Sequence, residues 1–202
     1  MRFGDTLPPE LDHDPFKAIL TPRPIGWIGS RSAGGVANLA PYSFFCGVCA
    51  KPNMIGFASE GLKHSFANAR DRGCFTFSLV SSGLVQHMNV TSSAEDEEVD
   101  EFDLAGLTKA ECVEIDASFV AEAPAALECV TISATQLKDR FGTPLDRYFL
   151  IGEVVQTHIR DEFIRNRRFD TKAAQPVSRL GYFDYATVTE TWELDRPDPQ
   201  IL

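Results

Sequence analysis

Residues 22–45 read Pro-Arg-Pro-Ile-Gly-Trp-Ile-Gly-Ser-Arg-Ser-Ala-Gly-Gly-Val-Ala-Asn-Leu-Ala-Pro-Tyr-Ser-Phe-Phe. An apolar run, a Gly-Gly turn and a second apolar run stand beside a dense set of small polar and aromatic residues. Ile25, Trp27 and Ile28 favour burial, while Gly34 and Gly35 permit a sharp backbone turn. Ser30, Ser32, Asn38, Tyr42 and Ser43 then place hydrogen-bonding groups along loop-like backbone. The pattern predicts a β-hairpin, with strands at 24–31 and 36–39, whose continuation suits a flat, partly polar, largely aromatic ligand.

Working outward, residues 1–14 are rich in Pro and Asp and form an expected irregular arm, followed at 15–20 by one helical turn with Pro15 at its first position. Further strands are expected at 53–59 and 74–80. Between them Ser65 is a candidate N-cap and Gly73 a C-terminal stop, with Arg70 and Arg72 in the last turn. A second helix is expected at 84–91. The acidic stretch 95–103 reads as a solvated loop or helix start rather than a metal site. The longest β signals are 127–137 and 148–159, joined through 139–147, and 182–193 reads as a final strand. Many strands with short helical insertions predict a mainly β, barrel-like single domain over 1–202.

The 202 residues are 44% hydrophobic, enough apolar material for a core. A net charge of −10 opposes nonspecific nucleic-acid binding and attraction to anionic membrane surfaces. No apolar run approaches the about 18 residues of a membrane span, and the opening residues lack an apolar leader, so a cytoplasmic location is expected. Cys46, Cys49, Cys74, Cys112 and Cys129 are expected to be free thiols in apolar surroundings. Cys46-Gly-Val-Cys49 has no second ligand pair for zinc, and Lys51-Pro52 opposes the helix start that a redox dithiol uses. His13, His87 and His158 show no metal-ligand spacing, and no metal is expected.

The 22–45 segment, with its Asn38–Phe45 run Asn-Leu-Ala-Pro-Tyr-Ser-Phe-Phe, resembles the N-terminal motif of the flavin reductase-like family. The resemblance continues over roughly residues 15–190 and implies an FMN-binding split β-barrel. On the first hairpin it implies Ile28, Gly29, Ser30 and Arg31 as flavin contacts, and on the following turn Asn38, Ala40, Pro41, Tyr42 and Ser43. Ser59, Lys63, Ser65 and Asn68 match the family's phosphate segment, with His64 in place of an acidic residue and Ser65 in place of Thr. Lys63 brings charge and Ser65 a hydroxyl to a helix start, where N–H groups favour an anion. Arg179-Leu180-Gly181 resembles the segment that closes over the flavin, although Tyr182 stands where a second Gly is common. Residues 99–108 also resemble a family segment, with no chemistry assigned.

The implied function is an FMN-dependent oxidoreductase, an NAD(P)H:flavin reductase. The flavin carries the chemistry, so no catalytic side chain is expected. No Gly-x-Gly-x-x-Gly or phosphate-loop pattern is present, so NADH or NADPH would bind transiently against the flavin. Arg165, Arg167 and Arg168 could meet its phosphates but also read as a solvated basic loop. A homodimer is expected, with a partner monooxygenase or other electron acceptor. A noncatalytic FMN-binding electron carrier and a split barrel for another small ligand stand as alternatives.

Overall fold

A computed structural model of the chain describes residues 1–4, 6–195 and 197. The chain begins with α1 (Phe16–Ile19), followed by β1 (Arg23–Pro24), β2 (Gly26–Arg31), β3 (Ala37–Tyr42), β4 (Phe45–Ala50) and β5 (Asn53–Glu60). Next come α2 (His64–Asp71), β6 (Cys74–Leu79), α3 (Val85–Val90) and α4 (Glu101–Leu104). Short strands β7 (Lys109–Glu111) and β8 (Ser118–Val120) lead into the long pair β9 (Ala125–Lys138) and β10 (Pro144–Ile159). The hairpin β11 (Ile164–Arg165) and β12 (Arg168–Phe169), α5 (Thr171–Ala174), β13 (Val177–Arg179) and β14 (Tyr185–Thr187) follow. Among the described residues no helix is long and apolar enough to cross a membrane.

Seven strands form one antiparallel sheet in the order β3-β2-β6-β9-β10-β5-β4. β3 and β4 are its two edges, yet only Ser43 and Phe44 join them. Three Cα steps reach at most about 11 Å, whereas six strand spacings in a flat sheet would cover about 29 Å. The sheet therefore curls until its edges approach. Ala58 N–H donates to Phe44 O at 2.8 Å, extending the β4–β5 ladder, and across the closure the Phe45 ring stacks on Phe77 of β6 with centroids 4.9 Å apart.

β2 is buried on both faces, which explains its nearly continuous apolar reading. Trp27 joins a cluster with Leu39, Val80, Met88, Phe102 and Val120, under α3 and α4. Ile28 faces the opposite cluster with Tyr42, Phe57, Phe75 and Leu150, into which α2 inserts Phe66. Gly29 is required here: a Cβ would lie 2.3 Å from Thr76 Oγ1 and 2.4 Å from Ser118 O.

Several sequence expectations need correction. β3 runs to Tyr42, and Phe45–Ala50, read as Cys-x-x-Cys context rather than a strand, forms the edge strand β4. Cys46 and Cys49 are exposed on that edge, while Cys129 is buried. A strand with a single neighbour leaves its outer side uncovered, and the two thiols follow it. Pro15 is the N-cap of α1 rather than its first helical residue. Only Tyr185–Thr187 of the expected 182–193 strand is extended and paired, since Tyr182 has φ +52° and turns the chain. Within the acidic stretch Asp100 caps α4 through Phe102 N–H and pairs with Lys109, so the helix-start reading holds there.

Candidate flavin-binding cleft

A cleft of about 480 Å³ opens beside the closure, within the size range of small-molecule sites. One wall is the end of β3 and its continuation, Asn38, Ala40, Pro41, Tyr42, Ser43 and Phe44. The second is the approach to α2, with Leu62, Lys63, His64 and Ser65. The third is the 91–95 loop after α3, and Glu101 from α4 lies at the base. The 91–95 loop is anchored by Thr91, whose hydroxyl accepts from Trp27 Nε1 at 2.8 Å and donates to Met88 O at 2.9 Å.

At α2 the N-cap is Lys63, in extended conformation and without a side-chain cap, rather than Ser65. The first intrahelical bond runs from Ala67 N–H to Lys63 O at 2.9 Å. That leaves the N–H groups of His64, Ser65 and Phe66 without helical partners, beside the exposed Lys63 ammonium. Gly73, at φ +74°, follows the helix end as expected.

Ser65 is buried and sends its hydroxyl hydrogen to Asn38 Oδ1 at 2.7 Å. Ser30 Oγ also donates to Asn38 Oδ1, at 3.1 Å. Asn38 Nδ2 donates to Glu101 Oε1 at 2.9 Å, and Leu39 N–H donates to Glu101 Oε2 at 2.9 Å. Burial pushes the Glu101 carboxyl up; the Leu39 N–H and the Asn38 amide pull the other way. The Tyr42 hydroxyl is buried and has no hydrogen-bond partner among the described residues. Ser65 and Ser59 lie beside it outside hydrogen-bond geometry, and burial pushes the phenol up.

Of the sequence-derived candidates, Asn38, Ala40, Pro41, Tyr42, Ser43, Lys63 and Ser65 line the cleft together. Ile28, Ser30, Ser59 and Asn68 are buried away from the lining, with Ser59 donating to Gly61 O at 2.8 Å. Gly29 is likewise a packing position. Arg31 turns from the cleft to Glu111 at 2.8 Å and Asp116 at 3.2 Å. Arg179 on β13 lies over the Tyr185 ring, 4.4 Å from its centroid, and donates to Tyr182 O. Arg165 and Arg168 pair with Asp170 and Glu193, respectively, on an exposed hairpin away from the cleft. His87 meets Ala105 O, and His158 meets Glu128. Sequence reasoning missed Glu101, whose only signal was its place between the capping Asp100 and the buried Phe102. It also missed Lys17 and the 91–95 loop, which reach the cleft only through the fold.

An FMN phosphate fits the cationic α2 start with its unpartnered N–H groups, and the unsatisfied Tyr42 hydroxyl offers a buried polar contact to a ligand. The family of the flavin reductase like domain matches residues 19–183. An uncharacterized protein of Halalkalibacterium halodurans is 34% identical over 181 residues, covering 87% of this chain and 86% of its own. Among solved structures, nitrilotriacetate monooxygenase component B of Bacillus cereus superposes with TM-score 0.84 at 28% identity, covering 96% of this chain and 100% of that one. The 2-nitrobenzoate 2-nitroreductase of Pseudomonas fluorescens gives TM-score 0.79 at 26% identity, covering 90% and 88%. The fold is the split barrel of flavin reductase-like proteins, and the class is a flavin-related oxidoreductase. The chain belongs to the flavin reductase-like family.

Proposed function

We propose that the chain binds FMN in this cleft and acts as an NAD(P)H-dependent flavin oxidoreductase. The observation that carries the reading is one cleft joining the cationic start of α2 at Lys63 to the polar β3 wall, Asn38–Ser43. Bound there, FMN would supply the ring that takes up hydride delivered by NADH or NADPH. The chain's residues bind, orient and shield it. Lys63 and the free α2 N–H groups hold the phosphate. Asn38, Tyr42, Ser43 and Ser65 meet the polar chain and ring edge, while Ala40, Pro41 and Phe44 offer apolar surface that excludes water.

The names of the similar structures support this reading: one is a monooxygenase component and one a nitroreductase. A partner monooxygenase, or another acceptor of electrons from reduced flavin, fits the same role. Exposed Val130, Ile132 and Val155 on the long β9–β10 pair support a homodimer, since association would cover them.

The test is the visible spectrum of the purified protein, then titration with FMN, FAD and riboflavin, then oxidation of NADH and NADPH with added FMN. FMN preference with steady nucleotide oxidation is expected. A yellow protein inert to both nucleotides would instead mark an electron carrier, and one that stays colourless with FMN would overturn the flavin reading.

A further inference from the structure

Glu101 is a buried carboxylate, 4% exposed, and among the described residues no cation pairs with it. Both of its oxygens accept N–H groups, one from Asn38 and one from Leu39. With both oxygens accepting, the carboxylate gives no hydrogen, and the Asn38 amide meets it through nitrogen. The amide oxygen is thereby turned to the far side, where Ser30 and Ser65 both donate to it. Ser65 has a single hydroxyl hydrogen. With that hydrogen on Asn38, its oxygen can only accept from any other group.

We infer that Glu101 is a positioning residue that sets the hydrogen-bond polarity of the β3 wall. Through Asn38 it holds Ser65 as an acceptor, so Ser65 serves the hydroxyl-bearing chain of the ligand and leaves the phosphate to Lys63 and the α2 backbone. This rests on the flavin reading of the same cleft. It reverses the role expected for Ser65 from sequence, where its hydroxyl faced the phosphate.

In Glu101→Gln, the Leu39 N–H claims the one remaining oxygen, so the new NH₂ confronts the Asn38 NH₂. Asn38 must then rotate or lose its partner. Adding Asn38→Asp restores every donor–acceptor pair. The amide introduced on α4 donates to the carboxylate introduced on β3, and that carboxylate again accepts from Ser30 and Ser65.

Dissociation constants for FMN and riboflavin, measured by flavin fluorescence, test the inference. Glu101→Gln should weaken both flavins by the same factor, about tenfold. Ser65→Ala should also leave the FMN-to-riboflavin ratio unchanged. The double variant Glu101→Gln/Asn38→Asp should return to within about threefold of wild type, which a merely structural role for Glu101 would not produce.

Selective loss of FMN affinity in Ser65→Ala would show Ser65 donating to phosphate and would overturn the inference. Unchanged binding in Glu101→Gln would also overturn it, as would a folded double variant no tighter than Glu101→Gln. Those results leave the flavin reading standing. A wild-type protein that binds neither flavin overturns that reading, and the inference with it.

Discussion

The Ser65 hydroxyl on α2 donates to Asn38 Oδ1 on β3 at 2.7 Å, joining residues 27 apart in sequence. This contact ties the cationic end of the cleft to its polar wall. The two walls of the cleft are therefore held in one frame before a ligand arrives, which lowers the ordering cost of binding.

Lys63, a cleft cation at the start of α2, has a role separable from that frame because it is exposed. Lys63→Ala should weaken FMN by roughly 10–100-fold, the value of a lost charge-assisted hydrogen bond. Riboflavin, which has no phosphate, should bind as in wild type. Parallel titrations with both flavins check this, and equal weakening would remove Lys63 from the phosphate site.

Gly29 was a flavin-contact candidate from sequence, but the space beside it is filled by Thr76 and the Ser118 backbone. Gly29→Ala should destabilise the protein by about 2–3 kcal/mol through overpacking, seen as a melting-temperature drop of roughly 5–10 °C. An unchanged melt would mean that β2 and β8 can separate without loss.

Glu128 on β9 is fully buried, accepts Val113 N–H at 2.9 Å and Glu114 N–H at 2.8 Å, and meets His158 Nε2 at 2.6 Å. Burial alone would raise its carboxyl, yet the Val113 N–H, His158 and the Glu114 N–H together hold it below the ordinary value. A folded value below the unfolded one stabilises the fold above the ordinary carboxylate range, near pH 4.3. That stabilisation is lost as pH falls through the folded value. Glu128→Gln should cost about 2–4 kcal/mol at pH 7, with the gap to wild type narrowing toward pH 3. Denaturant unfolding at several pH values reads this directly, and a gap independent of pH would contradict it.

The thiols divide by position. Cys46 and Cys49 are exposed on β4, whereas burial and the nearby Glu128 push Cys112 up to about 12, and burial raises Cys129 further. An aromatic disulfide reagent at pH 8 should modify Cys46 and Cys49 first, with Cys112 and Cys129 reacting only after unfolding. Replacing both exposed cysteines with serine should abolish the fast phase; its persistence would place the reactive thiols elsewhere.

Residues 22–45 and the two long β signals carried the fold class, because strand alternation, the Gly-Gly turn and β-branched runs are local properties of the chain. The Asn38–Ser43 wall and the Lys63 segment were legible for the same reason: each is continuous in sequence. What only the tertiary structure decided is how they meet. Two residues join the edges of a seven-stranded sheet, so the curl of that sheet brings β3 against α2. The burial of Glu101 and the direction of the Ser65 hydroxyl follow from that meeting. Hydrogen-bond polarity between distant groups depends on where the backbone returns, which no local pattern encodes. Arg31 illustrates the converse: its place on β2 was readable, but Glu111 on β7 and Asp116 in the β7–β8 connection turn its charge away from the cleft.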